Sequence, residues 1–249
     1  MRRHARVNDT VWPVATTTLS PAALSGRRTT IAMKSIMAIS GLLFVFYVLM
    51  HMYGNLKLLA GAGAFDTYAH HLRTLGEPIL PYSGFLWIFR ILLIVALLAH
   101  AGSAFHLWSK ANGARSQRYA VKKAAAASVS SKWMRWGGVA LLLFIIFHLI
   151  HFTIVKPNFN SDVTVDQHSP YSLVVASFQL WWVVLIYLVA LVALGMHLHH
   201  GVWSASQTLG WTSTAKSRAT AKTVAAIIAA VVAIGFAVPP LAVLFGFVK

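Results

Sequence analysis

Long apolar runs separated by short polar segments dominate the chain. Five of them, approximately Ile36 to Leu56, Phe85 to Trp108, Trp136 to Val155, Leu173 to Met196 and Val224 to Val248, are long enough to cross a hydrocarbon core of about 30 Å, which needs about 20 helical residues. The pattern predicts an all-α integral membrane protein with five transmembrane helices. Pro239 and Pro240 fall inside the fifth run and predict a kink, because proline removes a helical hydrogen bond and clashes with the preceding turn. Residues 1–33 carry Arg2, Arg3, Arg6, Arg27 and Arg28 without a short apolar core and cleavage site. They are expected to form a cytoplasmic tail rather than a signal peptide, followed by one membrane domain over residues 34–249.

Composition removes other classes. Of 249 residues, 58% are apolar and 10% charged, against roughly 45–50% and 25% in soluble domains, so an ordinary soluble globule is excluded. A formal charge of +16 raises nucleic-acid binding, but the basic residues stand between apolar runs rather than on one surface. No nucleic-acid partner is expected; the charge reads as membrane topology. The tail to Ser35 (with Lys34), the second-to-third connection (Lys110, Arg115, Arg118, Lys122, Lys123, Lys132, Arg135) and the fourth-to-fifth connection (Lys216, Arg218, Lys222) hold most of the cations. The opposite side has Lys57, Arg73, Lys156 and Lys249, with Asp66, Glu77, Asp162 and Asp166. Such a bias places the N-terminus inside and the C-terminus outside. Arg90 lies near the outer end of the second run, where a long side chain can snorkel.

Cysteine is absent, so the chain cannot hold its own iron–sulfur cluster or attach haem through C-x-x-C-H. Any metal centre must use the 12 histidines. Runs one to four each place histidine within or near the apolar span: His51, then His100 and His106, then His148 and His151, then His197, His199 and His200. Ionisable groups inside a membrane are costly and demand partners. Counting from the inner boundary residues at 1.5 Å per residue, His51 stands about 25 Å up, His148 about 20 Å, His100 about 15 Å and His197 about 10 Å. The first and third helices thus supply an outer pair, the second and fourth an inner pair.

Two histidines facing one another in a helical bundle suit axial ligation of non-covalent haem b, and two pairs imply two haems. The first four helices are therefore expected to form a haem-binding bundle. Small residues that let a macrocycle approach backbone are available at Ser40-Gly41, Gly54, Ala101 to Ala104, Gly137-Gly138 and Gly195, although they equally serve transmembrane packing. His151 and His200, each three residues beyond a ligand candidate, can replace it. His106 lies about 240° around its helix from His100 and cannot share its haem. His4, His70, His71 and His168 are expected in solvent. A structural zinc site wants four convergent ligands in one shell, which two levels do not offer. A proton-coupled transporter usually retains membrane carboxylates, whereas all five acids lie outside the runs.

The segment Met37 to His71, with His51-Met-Tyr-Gly-Asn-Leu and Gly63-Ala-Phe-Asp-Thr-Tyr-Ala-His-His, then His100-Ala-Gly, Phe147-His148-Leu-Ile-His151-Phe, and His197-Leu-His-His-Gly201-Val-Trp203-Ser204, resembles the single-subunit cytochrome b anchor of succinate:quinone oxidoreductases. These comprise succinate dehydrogenase and fumarate reductase, and the resemblance covers about Lys34 to Gly210. It implies five transmembrane helices and two stacked b haems, the distal one ligated by His51 and His148, the proximal one by His100 and His197. The family's ligand stands four residues before Gly-x-Trp-Ser, which selects His197 over His199 and His200; His148 and His151 both remain open on the third helix. The resemblance further implies separate flavoprotein and iron–sulfur subunits docked on the inner face of a bacterial cytoplasmic membrane. Electrons from succinate then reach a membrane quinone, menaquinone by analogy, reduced on this subunit near its outer surface. Tyr53, Asn55, Lys57, Glu77, Tyr82, Arg90 and His151 are the polar groups there, none with an assigned catalytic role. Some members use a membrane glutamate; no carboxylate falls in the first four runs, so that pathway does not carry over. A di-haem anchor of another dehydrogenase, such as a hydrogenase or formate dehydrogenase, and a haem-free histidine-bearing transporter are the alternatives.

Overall fold

The computed structural model describes residues 21–113 and 125–249, with side chains from residues 29 and 133 of those stretches onward. The expectations for Arg2, Arg3, His4, Arg6, Arg115, Arg118, Lys122 and Lys123 lie outside the described residues, as do the side chains of Arg27, Arg28 and Lys132. The chain is all-helical over these residues: α1 (Pro21–Leu56), α2 (Ala62–Thr74), α3 (Gly84–Gly113), α4 (Ala125–Leu149), α5 (Pro170–Phe178), α6 (Trp181–Thr208) and α7 (Ala215–Leu244). A 3₁₀ turn, Lys57–Ala60, follows α1, and a π-helical turn, Ile150–Ile154, extends α4. Five helices are long and apolar enough to cross a membrane: α1, α3, α4 with its π turn, α6 and α7.

Several boundaries differ from the sequence expectation; α4, for one, is already helical at Ala125 rather than from Trp136. The fourth run divides into α5 and α6, separated at Gln179 and Leu180, and the spanning helix is Trp181–Thr208 rather than Leu173 to Met196. Residues 173–178 are apolar because α5 packs against one end of the bundle, where Leu173, Val174, Val175, Ala176 and Phe178 are buried. Secondly, α7 begins at Ala215, where Thr214 and Ser217 form a reciprocal capping box. Lys216, Arg218 and Lys222 therefore ride on its first turns rather than in a loop. It continues through Pro239 and Pro240 as one helix to Leu244. Finally, α1 is already helical at Pro21, the first described residue, so residues 21–33 of the expected tail extend the first spanning helix.

Around the bundle, α1 packs on α3 and α6, and α6 packs on α4, while α7 closes the outside of the α1–α6 side. Among the described residues α3 and α4 share no extended backbone packing, nor do the diagonal pairs α1/α4 and α3/α6. The first four spanning helices thus form a quadrilateral open on its α3–α4 side. Trp108 of α3 and Trp136 of α4 bridge that side at one end, with ring centres 6.0 Å apart, and the Arg135 guanidinium lies 5.6 Å from the Trp108 ring.

Ring-and-cation pairs mark both ends. Lys222 over Trp203 (5.1 Å) shares the Trp108 end, while Lys57 over Tyr53 (4.8 Å) and Arg90 over Trp87 (4.9 Å) mark the other. Aromatic belts of this kind sit at membrane–water interfaces. The belt at the Tyr53 end is roofed by α2, α5 and the loop between them. Asp66 of α2 accepts hydrogen bonds from the Ser169 hydroxyl and from Tyr171 N at the start of α5, where a carboxylate also suits the helix dipole. Asn160 Nδ2 donates to Gln179 Oε1 (3.0 Å) and ties the loop down.

Candidate functional site

On α1, Gly41 and His51 are ten residues apart, and on α4 so are Gly138 and His148. Ten helical residues span about 15 Å. His51 meets His148 across the α1/α4 diagonal, ring centres 5.8 Å apart and planes at 79°. His100 meets His197 across the α3/α6 diagonal at 6.1 Å and 65°. Gly41 lies against His100 and Gly138 against His197, so the second pair sits at the glycine level, about 15 Å below the first. Diagonal helices run in the same direction, which is why one pair belongs to the up-running helices and the other to the down-running ones.

In the His100–His197 pair, His100 Nδ1–H donates to Met37 O at 3.0 Å. A carbonyl only accepts, so Nδ1 carries the proton and Nε2 keeps its lone pair. Ser40 Oγ, which donates to Ile36 O (2.7 Å), lies 3.4 Å from the same nitrogen. A Cβ on Gly41 would stand 3.1 Å from His100 Cε1: glycine leaves the space the imidazole occupies. His197 Nδ1 is the one buried side-chain nitrogen or oxygen without a hydrogen-bond partner among the described residues. Such orphans call for an explanation, an unseen ion included.

In the His51–His148 pair, Tyr47 stacks on His51 (5.3 Å, 12°) and Phe236 of α7 leans on its other side at 5.6 Å. Asn55 Nδ2 donates to His51 O at 2.8 Å and stands 3.4 Å from Nε2, the long end of the hydrogen-bond range. His148 Nδ1 is 3.2 Å from Tyr187 Oη. His151 is fully buried, with Nδ1 3.0 Å from the same phenol and Nε2 3.0 Å from Ser177 Oγ. Both nitrogens of His151 are occupied, whereas Nε2 of His148 is not.

The remaining histidines stay apart from these pairs. His70, His71, His106, His168 and His199 are exposed, and His200 is half-buried. The polar groups proposed near the outer surface disperse: Tyr53, Lys57 and Tyr68 cluster where α1 meets α2, Tyr82 leans on His70, Arg90 on Trp87, and Glu77 is exposed in the turn after α2. Sequence reasoning missed Tyr187 and Ser177. A phenol in the middle of an apolar run was a usable signal, because buried tyrosine hydroxyls find partners.

No known protein family, curated protein or solved structure matches the chain. The site is therefore judged on its own chemistry. Two imidazoles bound on opposite sides of one metal, each at about 2 Å, have ring centres roughly 6 Å apart, and both pairs stand at that spacing. Among the described residues no three His, Asp or Glu side chains converge to cage a metal ion. Each pair offers two imidazoles to a bound group and, among the described residues, no further His, Asp or Glu ligand beside them.

Proposed function

We propose that the chain is the di-haem cytochrome b anchor of a succinate:quinone oxidoreductase, set in a bacterial cytoplasmic membrane with its N-terminus inside and C-terminus outside. The observation that carries this reading is the pairing of four histidines on the two diagonals of one quadrilateral, at levels about 15 Å apart. His51 and His148 would hold the distal haem b, His100 and His197 the proximal one. When bound, such groups supply reversible one-electron iron chemistry along the membrane normal. The chain's own part is orientation and insulation. Met37 O holds His100 with Nε2 free, Tyr47 and Phe236 flank His51, and the α5 roof buries the outer end. His148 is favoured over His151 because it faces His51 and keeps a nitrogen to give.

The partners follow from the ordered motifs from Lys34 to Gly210 and from the charge of the inner end, where Lys34, Lys110, Arg135, Lys216, Arg218 and Lys222 gather. A flavoprotein and an iron–sulfur subunit would dock there, and a quinone, menaquinone by analogy, would be reduced near the Tyr53–Lys57–Tyr68 cluster. The test is purification from native membranes with haem counted per chain. Two b haems with a succinate-oxidising flavoprotein are expected. A colourless chain rejects every cytochrome reading, and co-purification with a hydrogenase or formate dehydrogenase instead rejects succinate oxidation.

A further inference from the structure

A run of four hydrogen-bonded side chains leads from the backbone of α5 to the outer histidine pair, and its sense can be worked out from one end. Leu173 O can only accept, and Ser177 Oγ lies 2.7 Å from it, so the Ser177 proton is committed there. Ser177 Oγ must then accept from His151 Nε2–H at 3.0 Å. An uncharged imidazole that donates through one nitrogen accepts through the other; His151 Nδ1 therefore accepts from the Tyr187 hydroxyl, also at 3.0 Å. With its proton spent, the Tyr187 oxygen accepts from His148 Nδ1–H at 3.2 Å. What remains on His148 is a bare Nε2.

We propose that Ser177, His151 and Tyr187 form a one-way relay that fixes His148 as the Nδ1–H tautomer and presents its Nε2 as the donor atom of the outer pair. The naming of that pair as a haem site rests on the function proposed above; the tautomer assignment does not. The relay gives His148 what Met37 O gives His100 directly, an acceptor traced back to a backbone carbonyl. Ligating imidazoles characteristically donate their second N–H to such a partner, which sets ring orientation and raises basicity. His151, Tyr187 and Ser177 are thus positioning residues. Their burial follows: His151 and Ser177 are among the least accessible polar side chains of the described residues, and Tyr187 is packed edge-on against Phe144 and Phe178 at 5.1 and 5.0 Å.

Tyr187→Phe keeps those ring contacts and deletes only the oxygen. In the purified complex, affinity for the outer haem is expected to fall by about 10–100-fold. Its midpoint potential should rise, because a less electron-rich imidazole stabilises ferric iron less, and its ferric electron paramagnetic resonance signal should shift. The inner haem should keep both of its values. Ser177→Ala, which leaves His148 its phenol but frees the His151 tautomer, should move the outer potential the same way by less. A protein that binds two haems and shows, in both variants, the wild-type outer affinity, potential and ferric signal overturns the relay and leaves the di-haem reading intact. If the wild-type chain binds no haem, that reading fails, and ¹⁵N resonance of the histidines decides the relay alone. Proton on Nδ1 of His148 and Nε2 of His151 supports it; the reverse pattern overturns it.

Discussion

Gly41→Ala tests the inner pair by adding a single methyl group. The new Cβ would stand 3.1 Å from His100 Cε1 and 3.3 Å from Nδ1, whereas relaxed carbon contacts lie at about 3.5–4.0 Å. The imidazole has to give by a few tenths of an ångström. The shift acts on the nitrogen whose 3.0 Å bond to Met37 O holds the ring and carries that bond past the usual range of about 2.7–3.2 Å, where it weakens. Overpacking of this kind costs about 1–3 kcal/mol. Loss of a ligand-orienting hydrogen bond costs about 10–100-fold in affinity, or about 1.4–2.8 kcal/mol, so the two routes to a magnitude agree. Nearby glycines serve as controls. At Gly138 the Cβ would lie 3.7 Å from His197 Cε1, an ordinary contact, and at Gly137 nothing lies within 4 Å. Gly138→Ala should be nearly silent, and Gly137→Ala neutral or stabilising by about 0.5–1 kcal/mol through helix propensity. Haem titration of the purified chain, followed by reduced-minus-oxidised spectra, reads the outcome: a weakened inner haem and an unchanged outer one in Gly41→Ala alone. Wild-type affinity for both haems in that variant, or an equal loss in Gly138→Ala, refutes the geometry.

The ligand assignment predicts that His51→Ala and His148→Ala each remove the outer haem and spare the inner, and that His100→Ala and His197→Ala do the reverse; potentiometric titration distinguishes them, and retention of both haems in any one rejects that residue. Asp66→Ala deletes the acceptor for Ser169 and for Tyr171 N and should lower stability by about 1–2 kcal/mol, the usual cost of losing such a helix-start partner; thermal unfolding in detergent checks this, and an unchanged midpoint would show the α2–α5 tie to be idle. Because the chain has no cysteine, Asp162→Cys and Ser213→Cys can be introduced singly. A membrane-impermeant maleimide applied to intact cells should label the first and not the second, and the opposite result inverts the topology.

Much of the fold was legible because lipid imposes a simple rule: helices must be long and apolar, and cations collect at their ends. The rule failed where apolar residues are buried by protein instead. Leu173 to Phe178 look like membrane-spanning residues because hydropathy cannot tell lipid from a covering roof; the informative marks were local, a serine–proline start at Ser169-Pro170 and the polar Gln179. The histidine levels followed from counting residues, and the structure brings together the same two pairs. The choice between His148 and His151 could not be made that way. Three residues apart, with His151 in the π turn, they differ in what their neighbours present: His51 of α1 faces His148, Ser177 of α5 meets His151, and Ser177 and Tyr187 are 26 and 36 residues beyond His151.

The weakly packed half of the bundle bears on why these pairs lie on diagonals. Buried residues make up 28% of the most apolar window in α6 and in α7, but 6% in α3 and in α4. Lipid gives apolar side chains no reason to leave it, so helices associate through close packing and polar contacts. For α3 the ties include His100 to Met37 O, Ser103 Oγ to Met33 Sδ (3.8 Å) and Lys110 Nζ to Thr30 Oγ1 (2.6 Å), all reaching α1. For α4 they are His148 and His151 to Tyr187 of α6. Interhelical hydrogen bonds in membranes average about 0.6 kcal/mol, a modest hold for two long helices. The imidazoles' own hydrogen bonds therefore add to the packing along the sides of the quadrilateral, α3 to α1 and α4 to α6, while the pairs they form point across the two diagonals that protein packing leaves apart. A group gripped by both members of each pair would join α1 to α4 and α3 to α6, supplying the connections this bundle lacks, and its binding energy would appear directly as stability of the assembled fold.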